Sequence, residues 1–249
     1  MSGCYCYDGT LAGLLTLYAR LLPERVAVER ISATPPDQQS LFSSEICIAT
    51  DQAVAEAFWQ RLTKRLSGNS LKLLRRCLLA DHPQQELLIY HYLLLEAEQG
   101  WKVDGMLAHP QVAPVWKLSR QVGREAHRYL GFVRFQQLQD GLYYAAIAPD
   151  HRILLLIGAH FAERFRDQQW IIHDQRHGEG IVYDCNSKEW LLLPMEVTAQ
   201  PDVTPEEAQF QKLWHSYFTT LAIPERRNLK LQQGKVPLKV RSYLTEFTV

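Results

Sequence analysis

Near Leu130 the apolar pattern changes its period, and that switch constrains the fold of this chain more than any other feature. Before it, Pro110 and Pro114 lead into a stretch at 115–129 that reads as a helix. Its Lys117, Arg120, Arg124 and Arg128 recur every three to four residues, so one face is cationic. After it, Phe132, Arg134 and Gln136 alternate with Val133 and Phe135, the period of a strand. Asp140-Gly141 predicts a hairpin turn, with a returning strand at 142–148. Pro149-Asp150 then opens a helix expected at 153–165, on which His160 and Arg164 lie four apart and share a face. Strands are expected at 170–174 and 180–184, with 189–194 completing the sheet. An antiparallel sheet with helices before, within and after it is an α+β architecture.

The preceding residues read as mostly helical. Asp8 or Thr10 caps a run at 11–22 whose Leu11, Leu14, Leu15 and Tyr18 form a buried face, and Pro23 ends it. Residues 26–31 and 46–49 read as strands, and Thr50 or Asp51 caps a helix reaching about Leu66. Two further helices fill 67–100, broken at Asp81-His82-Pro83. His91 sits on an apolar helix and reads as a core or rim histidine. The expected organisation is a core at 1–199, helical to about 129 and sheet-based from about 130, with a basic, aromatic helical region at 200–249 packed on it. The polar, proline-containing stretch at 200–205 marks the division.

Composition narrows the function classes. The 249 residues carry 27 Lys plus Arg against 27 Asp plus Glu, so no long-range basic field exists and any nucleic-acid surface must be a local patch. No apolar run reaches the roughly 18 residues that span a bilayer. Met1-Ser2-Gly3-Cys4-Tyr5 has neither a basic nor an apolar leader region, so a cytoplasmic protein without membrane partners is expected. Five scattered cysteines do not read as a disulfide framework. Cys4-Tyr5-Cys6 reads as a short strand with two small buried thiols, since a zinc site needs two more ligands than this pair supplies. No tightly bound zinc, and no other cofactor, is expected.

Polar residues inside these apolar elements need partners or a function. Glu125, His127, His160 and Asp174, with His173, offer a histidine–carboxylate acid/base set or mixed nitrogen and oxygen metal ligands. Arg128, Arg134 and Arg164 suit bidentate phosphate binding. The bland alternative is an ion-pair network in which these arginines neutralise Glu125, Glu163 and Asp174. Glu125, His127, Arg128, His160 and Arg164 are expected in one polar cluster. No nucleophile elbow or phosphate-loop lysine is present. From Lys212 onward, seven Lys or Arg interleave with aromatics: Lys212 beside Trp214, Tyr217 and Phe218, then Arg226-Arg227-Asn228, Lys230, Lys235, Lys239 and Arg241. Cations beside aromatic rings suit a nucleic-acid backbone and unstacked bases, whereas a packed terminal helix pair would produce the same pattern with no ligand.

Ordered motifs run through nearly the whole chain. Tyr7-Asp8-Gly9-Thr10 is followed by Gly13-Leu14-Leu15, Gln39-Ser40-Leu41-Phe42 and Thr50-Asp51. Then come Glu125-Ala126-His127-Arg128, Gly131-Phe132-Val133-Arg134-Phe135, Tyr143-Tyr144-Ala145, Pro149-Asp150, the run from His160 to Phe165 and Trp170 to Asp174. Trp214, Tyr217-Phe218, the run from Ile223 to Asn228 and that from Tyr243 to Phe247 close the series. In their order and spacing these resemble a bacterial family assigned to DNA repair or DNA metabolism. Members lie beside a radical-SAM protein, and some are fused to a uracil-DNA-glycosylase-like domain. The resemblance implies a role on single-stranded or distorted DNA with a radical-SAM partner, which would carry the iron–sulfur chemistry, since Cys4 and Cys6 are too few ligands for a cluster. Two rivals remain: an enzyme acting on a DNA phosphodiester or modified base, and an adaptor that binds the partner and no DNA. Where relatives carry Met-Pro followed by Tyr and Trp, this chain has Val236-Pro237, then Val240 and Arg241.

Overall fold

A computed structural model describes residues 3–33, 46–196, 203–223, 225 and 228–247. The chain packs as two compact units, Met1–Gly123 and Arg124–Val249.

The first unit is built on a parallel sheet. Strand β1 (Gly3–Tyr7) runs into helix α1 (Leu11–Leu21) and returns as β2 (Val28–Ala33); β3 (Ile46–Cys47) pairs on the other side, in the order β2-β1-β3. Both pairings are parallel. The turn after β1 explains the Tyr-Asp-Gly-Thr motif. Asp8 accepts hydrogen bonds from the Thr10 amide at 2.9 Å, the Thr10 hydroxyl at 2.7 Å and the Thr50 hydroxyl at 2.6 Å. The Thr50 bond is the main reason its carboxyl sits below the ordinary range. Thr10 caps α1 by accepting from the Gly13 amide, and a methyl group on Gly13 would collide with the Asp8 carboxylate. Asp51 caps α2 (Gln52–Arg65) and Ser67 caps α3 (Gly68–Cys77), with α4 (Gln85–Gln99) and a 3-10 turn at Gly100–Gly105 following. One expectation is corrected here. Cys6, opposite Cys47 in the register of β1 and β3, forms a disulfide with it, so Cys4 is the only free thiol of the pair.

Helix α5 (Ala113–Phe132) runs through the boundary and supplies the second unit's first buried residues, Glu125, Ala126 and Tyr129. Leu130 to Phe132 are therefore helical, although alternation predicts a strand from Leu130. Val122, Ala126, Tyr129 and Val133 are all buried at helical spacing, and that longer pattern outcompetes the short alternation. Strand β4 is only Gln136–Gln137, and pairs antiparallel with β5 (Tyr143–Ile147) across a turn where Gly141 takes φ of 82°.

Helix α6 (Leu154–Arg164) then carries the chain over to β6 (Trp170–Asp174), which pairs with β5 in parallel. Strands β7 (Glu179–Asp184) and β8 (Glu189–Pro194) add on antiparallel, giving the order β4-β5-β6-β7-β8. The α+β class holds, but the five-stranded sheet is mixed, and the three-stranded one is wholly parallel. A helix between two strands lets them run the same way. Gly158 brings α6 down on the sheet, its Cβ position lying 3.0 Å from Ile181 Cδ1 and 3.3 Å from the Trp190 ring. Helices α7 (Pro205–Leu221), α8 (Leu229–Lys235) and α9 (Leu238–Arg241) follow.

Candidate functional site

Two of the expected carboxylates organise backbone. Glu125, buried on α5, accepts from the Asp150 amide at 2.8 Å and the His151 amide at 2.9 Å. The Lys239 ammonium lies 3.8 Å from it and also pairs with Asp150, which takes Arg176 Nη1 at 2.9 Å. The Lys239 hydrogen bond is the main reason the Asp150 carboxyl sits below its ordinary range. Asp174, fully buried at the end of β6, accepts from the Arg176 and His177 amides and from His177 Nδ1 at 2.6 Å. Glu125 and Asp174 are thus joined through Asp150 and Arg176 in one network.

Two buried polar atoms in this network, the Tyr129 hydroxyl and His177 Nε2, have no hydrogen-bond partner among the described residues. Burial, followed by the charges of Glu125, Asp150 and Asp174, pushes the Tyr129 phenol far up. His173 lies 2.8 Å from the Tyr144 hydroxyl through Nδ1 and 3.2 Å from the Met195 carbonyl through Nε2. A carbonyl only accepts, so the network assigns the proton to Nε2. Burial holds this imidazole below its usual range despite the Met195 bond and Asp174.

None of the other candidates is joined to this network by a hydrogen bond or ion pair among the described residues. His127 and Arg128 are exposed on α5, and His160 and Arg164 are exposed on α6. No hydrogen bond or ion pair joins His127 to His160 among the described residues; the His160 ring stands edge-on to Phe161 at 5.2 Å. Asn228 caps α8 by accepting from the Leu231 amide. Arg226 and Arg227 lie outside the described residues.

Arg134 and Arg164 do share a site. A pocket of about 650 Å³ opens between the end of α5, the C-terminal half of α6 and the start of β6, and both arginines line it. Its walls are Phe135, Tyr143, Phe161, Phe165 and Trp170. Phe135 meets Phe161 and Phe165 edge to face, with centroids 5.7 and 5.3 Å apart. Trp170 stacks on Tyr183 at 5.1 Å, and the Arg164 guanidinium lies over Phe165 at 5.7 Å from its centroid. Arg134 is held from behind: its Nη2 donates to Glu246 at 2.8 Å and its Nη1 to the Gly131 carbonyl at 2.8 Å. Glu246 also accepts from Trp214 Nε1. Burial pushes the Glu246 carboxyl up, but the Arg134 and Trp214 hydrogen bonds outweigh burial and leave it below the ordinary range. The sequence signal for this pocket was the Phe161/Phe165 pair, four apart on the helix bearing Arg164. Glu246, Gln168 and His177 carry no such local signal.

A second cleft of about 490 Å³ shares Arg134 and Phe135 and extends to Phe210 and Trp214 on α7. Helix α7 has no buried residue, and its Phe210, Leu213, Tyr217 and Leu221 are each more than half exposed.

Among the described residues no group of three or more His, Cys, Asp or Glu is placed to hold a metal ion. None of their helices is long and apolar enough to cross a membrane. The DUF4130 family, described as a domain of unknown function, matches residues 83–246. No curated protein and no solved structure matches the chain.

Proposed function

The chain belongs to the DUF4130 family through residues 83–246, and we propose that it is a nucleic-acid-binding protein of DNA repair or DNA metabolism, acting on single-stranded or distorted DNA with a radical-SAM partner. The observation that supports this reading is the pocket in which Arg134 and Arg164 stand beside five aromatic rings. Aromatic faces stack on unpaired bases and guanidinium groups meet phosphates, so the pair of features suits a strand whose bases are out of the helix. The adjoining cleft continues the aromatic surface to Phe210 and Trp214. Lys239 and Arg241 contribute less than the sequence pattern promises. Lys239 is engaged with Asp150, and the Arg241 guanidinium lies over Phe247 at 4.7 Å.

Salt-titrated binding of a labelled oligonucleotide tests the reading. Arg164→Ala should weaken binding to all sequences alike and flatten the salt slope by about one unit, as loss of one phosphate contact does. A wild-type protein that binds no DNA even at low salt would sink it.

The adaptor reading has its own observation in the aliphatic part of α7, where Leu213 and Leu221 are 64% and 60% exposed. Exposed apolar stripes of this kind mark protein contacts. On that reading Leu213→Asp abolishes capture of the radical-SAM protein, and DNA binding is absent.

A further inference from the structure

We infer that the aromatic pocket takes a single extruded nucleobase and that Gln168 reads its hydrogen-bonding edge; this rests on the nucleic-acid reading above and names the ligand of the same site. The lining holds two arginines, one of them paired with Glu246 and the other, Arg164, without a carboxylate partner among the described residues, so it favours an anionic molecule, and its aromatic walls favour a flat one. A nucleotide is both. About 650 Å³ falls within the range of roughly 300–1,000 Å³ typical of small-ligand pockets, room for a base with its sugar.

The polar groups divide the work. Arg134 is fixed by Glu246, and Arg164 has no carboxylate partner among the described residues, which leaves its donors for phosphate. Gln168 and Tyr143 line the same pocket, and neither side chain has a hydrogen-bond partner among the described residues. A carboxamide presents a donor and an acceptor side by side, the complement of the adjacent donor and acceptor on the edge of an unpaired base. Gln168 is therefore placed for identity and the rings for the base's face.

Gly131 supplies a clean test. It lines the pocket, and a Cβ built there meets nothing within 4 Å, so a side chain can start there without a backbone or side-chain clash, and Gly131→Leu is chosen to add bulk at the wall. The probes are three labelled duplexes of one sequence, carrying a single-base bulge, an abasic bulge or a nonpolar base isostere in the bulge. Wild-type protein should favour the base bulge over the abasic one by on the order of tenfold, the contribution expected of one stacked base. Gly131→Leu should erase that preference with its circular dichroism unchanged. Gln168→Ala should keep the preference for a base over an abasic site but lose discrimination between natural base and isostere. Equal wild-type affinity for base and abasic bulges overturns the single-base pocket while leaving DNA binding intact. Undiminished discrimination in Gln168→Ala overturns the role of Gln168. No binding to any probe at low salt overturns the nucleic-acid reading and this inference with it.

Discussion

Glu246 is 8% exposed yet charged, and three donors from Arg134 and Trp214 make that tolerable. Removing Arg134 would leave an uncompensated buried carboxylate. Arg134→Ala is expected to cost about 3 kcal/mol in urea denaturation, and Glu246→Gln less, since a neutral amide needs no counter-charge. The pH dependence follows from the depressed carboxyl. Its contribution is fully present above the ordinary carboxylate pKa of about 4.3 and is lost as pH falls through the lower folded value. His173 acts in a higher window. Its folded pKa is also depressed, so the unfolded chain takes up the proton first. Stability should be complete above about pH 6.5 and fall as pH drops from there towards the folded value, a loss that His173→Gln should remove from the pH–stability curve. At this scale the sequence showed which residues were unusual but not their company. Glu125 reads equally as an acid or as a clamp for two amides 25 and 26 residues away, and only the fold brings Asp150 and His151 to it.

Among the elements, caps and breaks were legible because they are local: Thr10 and Asp51, each one of two candidates in the sequence, cap the helices that follow them, whereas the cap made by Asn228 emerges only from the structure. Strand direction was not. The chain between Ile147 and Trp170 reads as a helix in sequence, but the parallel pairing of β5 and β6 depends on α6 packing back on the sheet. That packing is testable at Gly158, where Ile181 and Trp190 leave little room. Gly158→Val should lower stability by about 1–3 kcal/mol through overpacking, measured by thermal unfolding. Thr204, whose side chain accepts from the Glu207 amide, should cost about 1 kcal/mol when replaced by Ala, by loss of the cap of α7.

For the whole molecule, 27 cations balance 27 anions, so the DNA binding we propose would be short-ranged and sharply dependent on salt. If the basic stretch at Arg226 and Arg227 joins the pocket in holding phosphate, replacing both with Ala flattens the salt slope by up to about two units and lowers affinity for every sequence alike. An unchanged slope in the salt titration removes those two residues from the interface.

The pairing of Arg134 with Glu246 spans 112 residues, and this orders events during synthesis. At about 5–20 residues per second, the ribosome delivers Glu246 roughly 6–22 s after Arg134. Helix α6 and strands β5 and β6 are synthesised in that interval, so every residue of the aromatic walls is in the chain before the arginine at their rim has its carboxylate. The newborn chain thus carries all the rings of its hollow before it carries the residue that orients the cationic rim.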